Sequence, residues 1–156
     1  MPLVQQQRPE VTAGPDAVRG RPVMLATLDV PFDPSAVVFA VDSAVELGQR
    51  LIVANFVEQA PLPLSAMMGY DDLPYPPEMA ESLYQPVRLA QSLGVKVTRL
   101  RVKSFHPIQA IVEVTAEEDA GLLVFGPDLS RLRRWRYQRA SRVIRNNVSA
   151  LIWLPD

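Results

Sequence analysis

The sequence predicts a single doubly wound α/β domain, a five-stranded parallel sheet with helices on both faces. Two observations carry this prediction. Short apolar runs that stop at Gly, Pro or Asp alternate with helix-period segments from residue 22 to the end, and that alternation is the mark of a parallel sheet covered on both sides. Runs such as LIVANFV (51–57) and LLVF (122–125) are almost continuously apolar, as strands buried on both faces must be. The 156 residues suit one domain, for which about 150 is the usual prior. A domain of this size buries about 68–70% of its unfolded surface, enough for a core without staples.

Residues 1–21 carry Gln5-Gln6-Gln7, a small turn-forming stretch at Ala13–Asp16 and Gly20, and are expected to form a flexible tail. The domain is then 22–156. The first strand is VMLATL (23–28), ending at Asp29. Asp33-Pro34 pairs an N-cap residue with proline at the first helical position. Val37, Val41, Ala44 and Val45 follow at helical spacing and Gly48 closes the helix. The second strand, 51–57, completes a βαβ unit, which crosses over right-handed.

Residues 59–77 hold Pro61, Pro63, Pro74, Pro76 and Pro77, too many for a regular element, and read as a long loop, of the kind that is either a functional lid or simply mobile. A helix follows from Pro77 to Leu93, stopped by Gly94, and Pro86 within it is expected to kink or split it. VKVTRLRV (95–102) alternates apolar and polar residues, the period of a half-exposed strand near a sheet edge. His106-Pro107 opens a helix whose buried stripe is Ile108, Ile111, Val112 and Thr115. Glu117, Glu118 and Asp119 lie at its C-terminal end, where the helix dipole disfavours acids, so they read as surface residues. The fourth strand (122–125) ends at Gly126-Pro127, a helix spans Tyr137–Asn147, and the fifth strand, 150–154, ends at Pro155.

Charge is distributed unevenly. Sixteen basic and seventeen acidic residues nearly cancel, but seven arginines (131, 133, 134, 136, 139, 142 and 145) fall in one segment without an acid. The rest of the chain therefore carries nine basic against seventeen acidic residues. Concentrated positive charge on an acidic body fits one anionic contact site rather than a general nucleic-acid coat, and a solvated arginine-rich helix face is the equal alternative. Trp135 and Tyr137 interleave with these arginines; stacking on bases is one use for them, and packing of the segment against the domain is the favoured one.

Several chemistries are excluded or poorly supported. With no cysteine there is no disulfide, thiolate nucleophile or Cys-based metal site. One histidine, His106, cannot make a two-His metal motif, and beside Pro107 at a helix start it reads as a capping or surface residue rather than part of a serine–histidine pair. Neither the dinucleotide nor the P-loop glycine fingerprint occurs. No apolar run reaches the roughly 18 residues of a membrane helix and the N-terminus has no signal-peptide h-region, so the expectation is a cytoplasmic protein. Catalytic and metal residues are expected to be none. Asp29 stands beyond the carboxyl end of the first strand, where open α/β sheets bind ligands. There it either accepts from ribose hydroxyls or a base edge, or caps the next turn through an Asx-type bond.

These residues bring a resemblance into view, covering 22–155. The first strand ending in Leu28-Asp29, the strand–Gly pattern at Gly126, the terminal LIWLP, the strand spacing and the long loop after strand two resemble the universal stress protein family. The resemblance implies strand order 3-2-1-4-5 and a homodimer through the last strand, with Ile152 and Trp153 near its two-fold axis. ATP-binding members carry G-x2-G-x9-G-[ST] after strand four. Here Gly126 fits the first glycine, Leu129 replaces the second, and, with one inserted residue, Ala140 replaces the third, followed by Ser141. A Cβ at such places takes the space the phosphates need. Asp29, Phe56 (at the adenine position of strand two), Gly126 and Ser141 carry over, and Arg131, Arg134 or Arg139 are candidates to stand in for the missing backbone donors.

The resemblance thus implies a stress-response binding protein, not an enzyme, with a weakened or altered adenine-nucleotide site for ATP or AMP, and Mg2+ only if ATP is bound. Nucleic acid is not the expected partner. The alternative is a homodimeric interaction module that binds no nucleotide and acts through protein contacts.

Overall fold

The computed structural model describes residues 20–59 and 75–155. The expected tail and most of the proline-rich loop lie outside the described residues. Nine elements alternate: β1 (Val23–Thr27), α1 (Pro34–Leu47), β2 (Leu51–Glu58), α2 (Pro77–Ser92), β3 (Val97–Ser104), α3 (Pro107–Glu117), β4 (Leu122–Phe125), α4 (Arg134–Asn147) and β5 (Leu151–Trp153). The strands form one sheet in the order β3-β2-β1-β4-β5, and every neighbouring pair is parallel. The chain therefore winds outward from β1 to one edge, then returns past it to the other. The switch point falls between β1 and β4, whose register sets Ala26 beside Phe125.

Alternate residues of the central strands feed two separate cores. Leu25, Val53 and Val124 pack with Val37 and Val41 of α1 and Val87 of α2. Met24, Ile52, Leu123 and Phe125 pack on the other face with Ile111 of α3 and Ile144 of α4. Side chains of this size stabilise the fold by about 1.5–3 kcal/mol each when fully buried. That is why the three inner strands are apolar at nearly every position while β3, an edge strand, is largely exposed or half-buried.

The structure moves some boundaries. β3 begins at Val97 rather than residue 95, and α4 begins at Arg134, three residues before Tyr137. Arg134, Trp135 and Arg136 thus belong to a first helical turn and not to a loop. Pro86 does not split α2, which runs unbroken from Pro77 to Ser92. Pro86 is buried on the face α2 shares with Met79, Val87 and Ala90, and this packing holds the helix together across the missing hydrogen bond. Gly48 closes α1 in the left-handed conformation, φ +65°, donating its N–H to the Val45 carbonyl, as a C-terminal glycine should. The acids after α3 are surface residues: Glu118 pairs with Arg50 at 3.5 Å and Asp119 with Arg21 at 3.8 Å.

Candidate functional site

The switch point opens at the carboxyl ends of β1, β2 and β4. Asp29 has a left-handed backbone, φ +55°, unusual for a residue with a side chain. What holds it there is a strand away: its N–H donates to Asn55 Oδ1 at 2.8 Å. Among the described residues the Asp29 carboxylate accepts no bond from the following turn, so the bonded group is the backbone, and the exposed carboxylate is left to solvent. Asn55 is 2% exposed, and its side-chain NH2 group donates to the Tyr75 hydroxyl at 2.9 Å. The Arg101 guanidinium lies 4.1 Å from the centre of the Tyr75 ring. Burial pushes the Tyr75 phenol above its ordinary value, against the opposing pull of the Asn55 hydrogen bond and the Arg101 charge. Beside this chain of contacts a cavity of about 290 Å³ lies between β2, β3 and α2, lined by Val53, Leu83, Tyr84 and Arg99.

On the other side of the switch point the loop after β4 is stitched to the loop after β1. Gly126 donates to the carbonyl of Ala26 (2.9 Å) and accepts from the Asp33 N–H (2.9 Å), and Asp128 donates to the Pro31 carbonyl (2.8 Å). The Asp128 carboxylate then accepts from the Ser130 N–H at 3.0 Å and its hydroxyl at 2.7 Å. Arg131 and Leu132 donate their N–H groups to the Asp128 carbonyl. From 126 to 132, Leu129 alone has an N–H without such a bond among the described residues, Pro127 having none to give. Leu129 and Ser130 line an open groove of about 450 Å³ together with Asp33, Ser35 and Asp128, and its two carboxylates make it acidic.

Four of the sequence-predicted site residues therefore lie in the loops after β1 and β4, at the mouth of the switch point: Asp29, Gly126, Leu129 and Arg131. Arg131 forms an ion pair with Glu78 in the first turn of α2. Three do not. Phe56 is fully buried on the α3/α4 side of the sheet. Ala140 is likewise fully buried and Ser141 nearly so, both in the second turn of α4. The Ser141 hydroxyl is spent on the Tyr137 carbonyl at 2.7 Å. The first turn of α4, by contrast, has no acid and no side-chain cap, so its free N–H groups and the exposed Arg133 and Arg134 face solvent together.

Sequence reasoning missed Asn55, Tyr75 and Glu78. An asparagine in the middle of LIVANFV was a legible signal, since a buried amide needs partners; nothing marked Tyr75 or Glu78. Among the described residues no group of three His, Cys, Asp or Glu is placed to hold a metal ion, and no helix is long and apolar enough to cross a membrane.

Comparison with known proteins agrees with this architecture. A universal stress protein family protein from Burkholderia pseudomallei superposes with a TM-score of 0.61 at 16% identity, over 92% of this chain and 98% of the other. The universal stress protein from Archaeoglobus fulgidus in complex with dAMP gives 0.55 at 17%, over 86% and 96%. A universal stress protein in complex with cAMP gives 0.55 at 17%, over 87% and 96%. The sequence finds no match among curated proteins. The profile of the Universal stress protein family matches residues 20–146, more than half of the chain, and the protein belongs to that family.

Proposed function

We propose that this protein is a stress-response binding protein whose adenine-nucleotide site has lost its backbone phosphate cradle and suits a nucleotide of low phosphate charge. The observation that carries the reading is the hydrogen-bonding of residues 126–132, whose N–H groups, Leu129 apart, are given to the chain's own oxygens. A cradle needs those donors free. The carboxylates of Asp33 and Asp128 beside the same loop repel added phosphate charge. What remains fits the rest of a nucleotide: the exposed carboxylate of Asp29 for ribose hydroxyls, and the first turn of α4 with Arg131 and Arg134 for one phosphate. Two fold neighbours are complexes with cAMP and dAMP, which is consistent with a monophosphate. No hydrolytic role is proposed for it.

Isothermal titration with AMP, cyclic AMP and ATP at two salt concentrations tests this. Binding of a monophosphate at least as tight as ATP, weakened by salt and by Arg131→Ala with Arg134→Ala, is the expected result. ATP binding that is tighter and indifferent to the two arginines would sink it.

A second reading has its own support. The β5 edge is open, with Leu151 74% exposed, and Phe39 of α1 stacks on Trp153 next to it with ring centres 5.5 Å apart. A homodimer through this edge, acting by protein contacts, would need no nucleotide at all.

A further inference from the structure

The groove between the starts of α3 and α4 belongs to neither reading. Its volume is about 540 Å³, and its walls include Phe105 and His106 from one side and Trp135, Arg136 and Arg139 from the other. Phe105 is 55% exposed and Trp135 59%. Tyr137 does what the sequence led one to expect of both α4 aromatics: it packs parallel to Phe125, with ring centres 6.1 Å apart, and donates its hydroxyl to the Pro155 carbonyl. Trp135 does not pack inward, so that expectation fails for it, and an indole in water has a cost that burial against something would remove.

The charge around the groove is also unbalanced. Among the described residues Glu58 is its single lining acid, and it stands 3.8 Å from Arg136. Arg133, Arg134, Arg139, Arg142 and Arg145 are exposed and make no ion pair among the described residues. Like charges three residues apart on a helix repel, and arginines in a first turn oppose the helix dipole. Both effects destabilise α4 by a little and both reverse when an anion binds.

We infer that this face of α4, with the groove at its start, binds single-stranded nucleic acid, one base stacking on Trp135 and the backbone following Arg139, Arg142 and Arg145. The combination selects the ligand. Arg142 and Arg145 lie beyond the groove, at successive steps of about 4.5 Å along the helix, where a single mononucleotide would leave them unused. An acidic peptide would satisfy the arginines but offers no plane to the exposed rings. A bilayer surface would call for a wide apolar stripe, and between Gln138 and Asn147 the exposed face of α4 is polar throughout.

The test is fluorescence anisotropy of a labelled single-stranded oligothymidylate with the full chain, with heparin and a DNA duplex as comparators. Indole quenching is read in parallel in a Trp153→Phe background, which leaves Trp135 as the only tryptophan. The expected results are binding at low salt, quenching of Trp135, and about tenfold weaker binding for Trp135→Ala, the effect of removing one stacked base. Arg142→Ala with Arg145→Ala should flatten the salt dependence by about 0.7 for each phosphate that is no longer neutralised. Survival of oligonucleotide binding in excess AMP, or in Arg131→Ala with Arg134→Ala, would separate this surface from the proposed nucleotide site. The inference is overturned by no binding at low salt. It is overturned equally by heparin or duplex binding as tightly as the single strand with Trp135→Ala unchanged, or by AMP alone displacing the strand.

Discussion

Gly126 and Ala36 touch with no room between them: a Cβ built on Gly126 would overlap the Cβ of Ala36. The backbone of Gly126 does not need a left-handed conformation; what it needs is space, because the first turn of α1 lies directly on the end of β4. Here the glycine serves the packing of helix on strand, while its N–H and carbonyl join the β1 and β4 loops. Gly126→Ala should therefore destabilise the protein by about 1–3 kcal/mol, the usual cost of overpacking, read as a lower urea midpoint at unchanged slope. Combining it with Ala36→Gly should recover part of the loss but not all, since glycine in a helix costs about 1 kcal/mol. A neutral Gly126→Ala would mean that the two elements are not in contact.

Asn55 is the tie between β1 and the Tyr75 side of the mouth. Asn55→Leu leaves the Asp29 N–H without its acceptor and the Tyr75 hydroxyl without its donor. A buried group so orphaned costs about 1–3 kcal/mol, and Asp29 loses what holds it in the left-handed region. The variant should lose stability in that range and bind any adenine nucleotide more weakly. Wild-type stability would show that water replaces the amide at no cost.

How much of this was legible beforehand can be judged residue by residue. The strands and their connection were readable because LIVANFV and LLVF are apolar at nearly every position and Pro or Gly punctuates each helix. The start of α4 was not, because RWR looks like loop to any apolar period while the dipeptides around it carry no cap. Ser141 was placed at the site by spacing alone. Spacing says nothing about which side of a helix a residue faces, and the buried face took it. Asp29 was found, but its partner was not, since the Asn55 bond joins residues 26 apart in sequence.

Tyr75 should give the protein an alkaline limb. Its phenol is raised above the ordinary value, chiefly by burial, so the folded chain keeps a proton that the unfolded chain releases near pH 10. The folded state then binds more protons, and stability falls as pH rises. The contribution is fully present below about pH 10 and is lost above it, up to the raised value. Tyr75→Phe removes this group, so its stability should fall less steeply as pH rises above about 10 than that of the wild type. Parallel stability curves in urea titrations across that rise would show that Tyr75 is not buried on folding.

The edge at β5 offers the last expectation. A strand with one side unpaired presents donors and acceptors to any neighbour, and β5 is short, bordered by Leu151 at 74% exposure and by Phe39 stacked on Trp153. Scattered exposed apolar residues are ordinary, but an exposed leucine and a stacked aromatic pair at an open strand edge are the kind of surface a second copy can cover. The wild type should therefore sediment as a dimer across a wide range of concentrations. Leu151→Asp should sediment as a monomer, because it sets two like charges at the contact. Since Leu151 contributes little to the core of the single chain, the variant should remain folded, with its far-ultraviolet spectrum unchanged. A monomeric wild type would remove the protein-contact reading, whereas a dimer unaffected by Leu151→Asp would place the interface elsewhere and leave the β5 edge to be blunted by its shortness alone.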